Sequence, residues 1–278
     1  MSILYKFLVP ERAVNLIAET YFENELLRIT QPGDLNDLFE CLPSYYDTRV
    51  FKNFCREMKR AKMNQLMLRG ISKLEMDSKM LAYDVWQKIE IEKFLSYNPD
   101  NAFTEVYESA REEINSKIGI ISLSRIWNNV LMWSHYTKSH SGVCIGFDSQ
   151  DKFFNDFRKE NLQVFLTPVI YGRNRIQMPE RDSIIPGEFL YSKSHDWRYE
   201  KEERLIVSLS QSAKTEKGDK FPIHLFKIPH DLISEVILGA NSSPEIYSKM
   251  KEFTKNAKIK LYKAEISRYS YKVERRLI

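Results

Sequence analysis

No stretch of this 278-residue chain approaches the ~20 consecutive apolar residues that a membrane-crossing helix needs; the apolar runs in KIGIISLS and EVILGA stop far short of it. The opening MSILYKFLVPERAV meets charge too early for a secretory signal, so a cytoplasmic setting with no membrane partner is expected. Cysteine is scarce. Cys41, Cys55 and Cys144 are odd in number, widely spaced and without a CxxC pair, which indicates neither a disulfide framework nor a zinc ribbon and leaves three buried or idle thiols. Cys144, set in GVCIGF, is expected to be an inert core residue. Neither sign of charge dominates: 42 Lys and Arg face 38 Asp and Glu, and a net charge of +4 is too mild to nominate nucleic acid by itself. Internal repeats and low-complexity linkers are absent as well.

What remains has the balance of a folded globular protein, since 43% hydrophobic and 13% aromatic residues supply a core. ILYKFLV (3–9) reads as a strand stopped by Pro10, ERAVNLIAETYF as an amphipathic helix, and ELLRITQP (25–32) as extended chain. GDLNDLFE (33–40) carries the Asp and Asn of a sharp turn. From 46 to 117 the pattern is charged and helical, with no proline between Pro43 and Pro99 and a basic cluster at 51–73. Strands follow at GIISLS, VCIGFD and LQVFLTPVIYG (162–172), with helices near 127–138 and 151–160. Residues 189–209 end in a strand, and PIHLFKI, ISEVILGA and KIKLYKAEIS add three more, with a helix in SPEIYSKMKEFTKNA opened by a Ser-Pro start. The sum is a single α+β domain over 1–278, with a mixed, mainly antiparallel sheet and a helical subregion at about 46–117.

Four groups of residues have the types that binding or catalysis uses, and each also has a purely structural account. Lys6 points opposite to Tyr5 and Phe7 on the first strand, as a ligand contact or a solvent-facing lysine. Asn36, Asp37 and Glu40 orient a polar ligand or cap a helix that follows. In LMWSHYTKSHSGVCIGFD, helical spacing puts Trp133, Tyr136 and Thr137 on one face and His135 on another, while Gly142 admits a ligand or another backbone. His135 and His140, five apart, do not share a helical face at metal-ligand spacing, so no metal is expected. In DWRYEKEERLIVSL, extended chain puts Glu200, Glu202 and Arg204 on one face and Leu205, Val207 and Leu209 on the core side. That is a solvated edge or a carboxylate pair with a neighbouring cation restraining its charge.

Taken in order, YKF, NDLFE, ISLSR with LMWSHYTKSHSGVCIGFD, and the Lys before WRYEKEER resemble the bacterial family known as domain of unknown function 2971, over Leu4 to about Gly239. Its second block commonly reads Asn-Asp-Pro-Phe-Glu; here Leu38 stands in place of the Pro. The order of these blocks is in turn similar to that of ADP-ribosyltransferase-like domains, in which a split sheet forms a cleft for NAD. This likeness implies NAD as substrate and no metal. Tyr5, Lys6, Asn36 and Asp37 would meet the nucleotide, Trp133 or Tyr136 would stack on nicotinamide, and His135 would hydrogen-bond the ribose. Glu202, with Glu200 beside it, would be the catalytic carboxylate. It further implies a transferase or NAD-cleaving effector, a toxin or antiviral defence protein, with a protein or nucleic acid as acceptor. The competing expectation is a non-enzymatic interaction or nucleic-acid-binding module, in which the same blocks pack the core and the basic helices at 51–73 contact phosphates.

Overall fold

The computed structural model describes residues 2–10, 17–41, 111–154, 166–176 and 188–278, with scattered positions between 56 and 80. The chain divides into two compact units, one of Met1–Leu42, Ile114–Arg175 and Gly187–Ile278, the other of Pro43–Glu113 and Ile176–Pro186. Most of the expected helical subregion, most of the 51–73 cluster and Cys55 lie outside the described residues. Of the described positions in the 46–117 stretch, 56, 60, 63, 64, 67, 68, 73, 79, 80 and 111–117 are helical.

The first unit is an α+β fold. Its strands are β1 (Ile3–Leu8), β2 (Leu26–Ile29), β3 (Ile118–Ser124), β4 (Val143–Asp148), β5 (Thr167–Pro168), β6 (Ile170–Gly172) and β7 (Ser192–Ser194). They continue with β8 (Glu202–Ser208), β9 (Lys214–Glu216), β10 (Ile223–Lys227), β11 (Ile233–Leu238), β12 (Lys260–Ile266) and β13 (Val273–Leu277). Among its described helices are α1 (Ile17–Asn24), α2 (Val130–Tyr136) and α3 (Pro244–Ala257). Eight strands form one sheet in the order β13-β12-β11-β4-β1-β3-β8-β5. All its neighbours are antiparallel except β11 and β12, which α3 connects. Smaller sheets join β2-β10-β9 and the parallel pair β6-β7. The expected helix at 127–138 is shorter because Asn129 caps α2, its side chain accepting from the Leu131 and Met132 amides. Ser243 caps α3 in the same way from the Ile246 amide, with Pro244 at its first turn, as expected. Of the helix expected near 151–160 only a 3-10 turn at Lys152–Phe154 is described.

Side-chain alternation sorts the sheet into two faces. Leu4, Leu8, Ile121, Leu123, Val143, Ile145, Leu205, Val207 and Val236 enter the main core with Tyr21, Phe22 and Met250 from α1 and α3. Tyr5, Phe7, Cys144 and Ile237 face the other way, onto Met132 and Trp133 of α2. On this second face Ile120 joins Cys41 and Leu190 in a third cluster. Cys144 is fully buried, and burial pushes its thiol far above the ordinary value.

The sheet is almost severed between β1 and β3. Tyr5↔Ser124 is the sole registered pair between them, whereas β1 pairs with β4 through six residues. Farther along β3, Ile120 exchanges both backbone hydrogen bonds with Thr30, just past the end of β2. One edge of β3 is therefore shared by two strands, and a gap opens beside Ser122.

The turn between α2 and β4 answers what LMWSHYTKSHSG is for. Lys138, Ser139 and His140 all take left-handed backbone conformations, which cost non-glycine residues roughly 1–2 kcal/mol each. The turn is tied down by hydrogen bonds from the His140 amide to the Trp133 carbonyl, 3.1 Å, and from the Asn241 amide to the His140 carbonyl, 2.9 Å. Gly142 lies where a Cβ would collide with the Leu8 carbonyl, so the close approach there is by backbone and not by a ligand. Gly142→Ala is therefore expected to destabilise the fold by about 1–3 kcal/mol, the usual range for overpacking, read as a fall in the midpoint of chemical denaturation; an unchanged midpoint would refute the packing account.

Candidate functional site

The gap between β1 and β3 is the floor of a cavity of about 230 Å³. Tyr5, Lys6 and Phe7 line one side and Ser122, Leu123 and Ser124 the other, closed by Asn36, Glu40, Tyr136, Lys193, Glu200 and Glu202. In its wall is the Lys193 ammonium, 4% exposed, 2.6 Å from Glu200 Oε2, 3.2 Å from Glu202 Oε2 and 3.4 Å from Glu40 Oε1. Behind it the fully buried Arg204 forks onto Glu202, with Nε 2.8 Å from Oε1 and the NH2 nitrogen 3.1 Å from Oε2. Arg204 also pairs with Glu40 and donates to the Leu190 carbonyl at 2.6 Å. Two buried cations thus organise three buried carboxylates, Glu40 from one stretch of chain and Glu200 and Glu202 from another.

Local structure explains how the pieces arrive. The turn after Asn36 is closed by Asp37, whose Oδ1 accepts the Phe39 amide at 2.9 Å and whose carbonyl accepts the Glu40 amide at 3.2 Å. It leaves Leu38 and Phe39 exposed while sending Glu40 inward. Glu200 ends the 3-10 helix His195–Glu200, and Lys201 then takes a left-handed conformation that turns the chain into β8. Ser124 Oγ, across the sheet, donates to the Glu200 carbonyl at 2.6 Å. Tyr136, at the end of α2, donates to Glu200 Oε1 at 2.5 Å and accepts from Asn36 Nδ2 at 3.1 Å.

Electrostatics follow from burial and pairing. Burial pushes the Glu202 carboxyl up, against the pull of Lys193 and of a hydrogen bond from Ser122. Burial alone would lower Lys193, but Glu202 and Glu200 overturn that and hold its ammonium above the ordinary value. Lys6, whose Nζ reaches across the gap to the Ser122 carbonyl at 3.1 Å, is pulled down to about 8 by burial; the nearby Glu202 opposes the shift. The Tyr136 hydroxyl is raised by burial, so it enters as a neutral donor.

The structure thus brings together Tyr5, Lys6, Asn36, Tyr136, Glu200 and Glu202, which the sequence spreads over nearly two hundred positions. Tyr5 contributes wall only, its hydroxyl donating to Glu235 at 3.0 Å. Three expected contacts lie elsewhere. Trp133 is fully buried, edge-on to Phe7, its indole N–H donating to the Trp127 carbonyl, and so presents no face for a ring to stack on. Asp37 is occupied in its turn and does not line the cavity. His135 is on the exposed side of α2, 3.2 Å from the Tyr199 hydroxyl, and also stays outside. Glu202 departs from expectation too: the face it shares with Arg204 turns away from the main core but is covered, leaving it 6% exposed. Sequence reasoning missed Lys193, whose only signal was a lysine ahead of the Glu-x-Glu. Among the described residues no group of His, Cys, Asp and Glu is arranged to hold a metal ion, and no helix there is long and apolar enough to cross a membrane.

Residues 132–205 match the family model described as a protein of unknown function, DUF2971. The match is narrower than the Leu4–Gly239 stretch that the motifs suggested, yet it holds Tyr136, Lys193, Glu200, Glu202 and Arg204; Lys6, Asn36 and Glu40 fall outside it. No curated protein and no solved structure matches the chain, so the likeness to ADP-ribosyltransferases stands on motif order alone.

Removing the central cation should be severe. Lys193→Met leaves three buried carboxylates with Arg204 alone, and breaking such a cluster is expected to cost about 3–5 kcal/mol at pH 7. The deficit should shrink towards pH 5, because the Glu202 carboxyl, which burial pushes up, takes up a proton as pH falls and sheds its uncompensated charge. Denaturant titrations at both pH values check this; an equal deficit at each would contradict it.

Proposed function

We propose that the cavity binds NAD and cleaves its N-glycosidic bond, passing the ADP-ribosyl group to water or to an acceptor on a protein or nucleic acid. The observation that carries the reading is the meeting of Glu200, Glu202, Tyr136, Asn36 and Lys6 around one gap in a split sheet. In the reaction the bond between ribose C1′ and the nicotinamide nitrogen breaks, its electron pair leaving with the now neutral nicotinamide. The ribose becomes an oxocarbenium ion, which a carboxylate stabilises, and a nucleophile then adds at C1′ and gives up its proton.

Acceptor capacity decides which carboxylate does this. Glu202 is spoken for by the Arg204 fork, Lys193 and Ser122. Glu200 receives one hydrogen bond on each oxygen, from Tyr136 and from Lys193, and keeps lone pairs for a substrate. Glu200 is therefore the residue assigned to the reacting carbon, and Glu202 positions Lys193 beside it. This reverses the order that extended-chain spacing suggested. Tyr136 remains the aromatic residue at the cavity and Lys6 the cation for a phosphate or ribose oxygen. A bacterial-conflict or antiviral role is the setting in which NAD cleavage would serve as an effector.

Nicotinamide release from NAD by the purified protein is the direct test. Glu200→Gln should keep the fold and lower release by two or more orders of magnitude, about 3 kcal/mol of lost transition-state stabilisation. Glu202→Gln should also lower thermal stability, as it leaves Arg204 and Lys193 underpaired. Wild-type release from Glu200→Gln would remove the catalytic assignment and favour a binding module.

Lys6 supplies a second check. With its pKa near 8, the ammonium is charged at pH 7 and largely neutral at pH 9, so NAD affinity should fall by about tenfold over that range by proton linkage. Lys6→Met should bind more weakly at pH 7 and show no such slope. A slope retained in Lys6→Met would assign the titration to another group.

A further inference from the structure

Beside the carboxylate cavity lies a second one, of about 320 Å³, lined by Phe39, Gly172, Arg173, Asn174, Arg175, Ser192, Lys193 and Ser194. Its framework is the parallel pair β6-β7, in which Gly172 registers with Ser194. Arg173–Arg175 follow the end of β6, so two guanidiniums are delivered at one end of a short, paired element. The two cavities share Lys193 as a common wall, and Phe39 of one is the chain neighbour of Glu40 in the other.

The chemistry differs from that next door. Among the described residues no carboxylate pairs with either guanidinium; Arg175 lies over the Phe39 ring, 4.9 Å from its centroid, and Arg173 is exposed. Asp196, two residues past Ser194, accepts from Ser194 Oγ at 3.3 Å, and the Ser194 side chain also caps the Asp196 amide. Phe39 is 63% exposed, an apolar ring held open to solvent under a cation. Two guanidinium forks with no carboxylate partner among the described residues match a doubly charged phosphate group, whose oxygens accept paired N–H donors; the hydroxyls of Ser192 and Ser194 are already given to the Phe189 carbonyl and to Asp196.

We propose that this cavity binds the diphosphate of a nucleotide whose ribosyl end enters the carboxylate cavity, Lys193 marking the boundary between them. The neighbouring group's identity rests on the reading of the first cavity as an NAD site; the diphosphate assignment stands on Arg173 and Arg175. Segregation of charge supports one ligand spanning both. The anionic part meets the arginines, and the carbon that becomes cationic meets Glu200, so neither end is placed against like charge.

Calorimetric titration of the whole protein with ADP, inorganic pyrophosphate and adenosine tests the assignment. The wild type should bind ADP and pyrophosphate, and Arg173→Ala/Arg175→Ala should weaken both at least tenfold. Arg173→Ala alone, at an exposed position that packing does not need, should weaken both about threefold, so a folding defect in the double variant would not hide the result. Adenosine, which lacks phosphate, should bind no better to the wild type than to the variants. ADP affinity within twofold of wild type in the double variant would overturn the proposal, as would no measurable binding of ADP or pyrophosphate by the wild type. Failure of the NAD-cleavage reading looks different: ADP binding that depends on the two arginines persists while neither the wild type nor Glu200→Gln releases nicotinamide. Conversely, nicotinamide release with full ADP affinity in the double variant would leave the cleavage reading and sink the diphosphate site.

Discussion

The Lys193 ammonium is the contact on which the site depends. It touches carboxylates from a turn after β2, from a 3-10 helix and from the first residue of β8. A buried ion cluster of this kind is a weak source of net stability, because desolvating the charges offsets most of their attraction. Its contribution is specificity of arrangement. Five charged side chains in low dielectric pair with one another in few geometries, so the cluster restricts where Glu200 and Glu202 stand; Glu40 is held in it by its ion pairs with Lys193 and Arg204 and not by hydrogen bonds. Lys193 and Arg204 oppose Glu40, Glu200 and Glu202, which leaves one excess negative charge that Lys6 balances while it is protonated. The cavity therefore becomes more negative as pH rises through about 8.

The second constraint is the incomplete sheet. Had β1 and β3 paired along their length, Ser122 would give its carbonyl to a ladder and no space would exist beside it. Because β1 leaves β3 after Tyr5↔Ser124 and Thr30 takes over at Ile120, the Ser122 carbonyl is free to accept from the Lys6 ammonium. A lysine inside a sheet is costly to desolvate, which is why its pKa falls. The cost is tolerable because a carbonyl and the field of Glu202 receive it. The same gap that makes the cavity also creates its titratable cation.

The strands and capped helices were legible because period-two alternation and N-cap chemistry act over a few residues. Leu205 and Val207 facing the core, Asn129 aside, and the Ser243-Pro244 start of α3 all follow from local pattern. Less local features escaped. Trp133 reads as a stacking residue in sequence because nothing nearby says that Phe7 and the Trp127 carbonyl will enclose it. Lys193 is unremarkable in its own segment, since what makes it central is the arrival of Glu40 from more than a hundred and fifty positions away, and short elements such as β7 and the following 3-10 helix carry no periodic signal.

The Glu-x-Glu spacing works for a reason that extended geometry does not supply. Glu200 is not on β8; it closes a 3-10 helix, and the left-handed Lys201 between it and Glu202 reverses the direction in which the chain enters the strand. That conformation costs a non-glycine residue roughly 1–2 kcal/mol, and it is held by the Arg125 amide on the Lys201 carbonyl and by Ser124 Oγ on the Glu200 carbonyl. Both tethers come from the end of β3, one residue past and at the single point where that strand still pairs with β1. The split in the sheet, the strained turn and the two carboxylates are thus one mechanical unit: the residue pair that closes the gap, Tyr5↔Ser124, is also the anchor that turns Glu200 towards it. A strand continuing straight from 200 to 202 would keep the two side chains in step, but it would take the Glu200 carbonyl away from Ser124 and its carboxylate away from Tyr136, the one donor that α2 brings to the cavity.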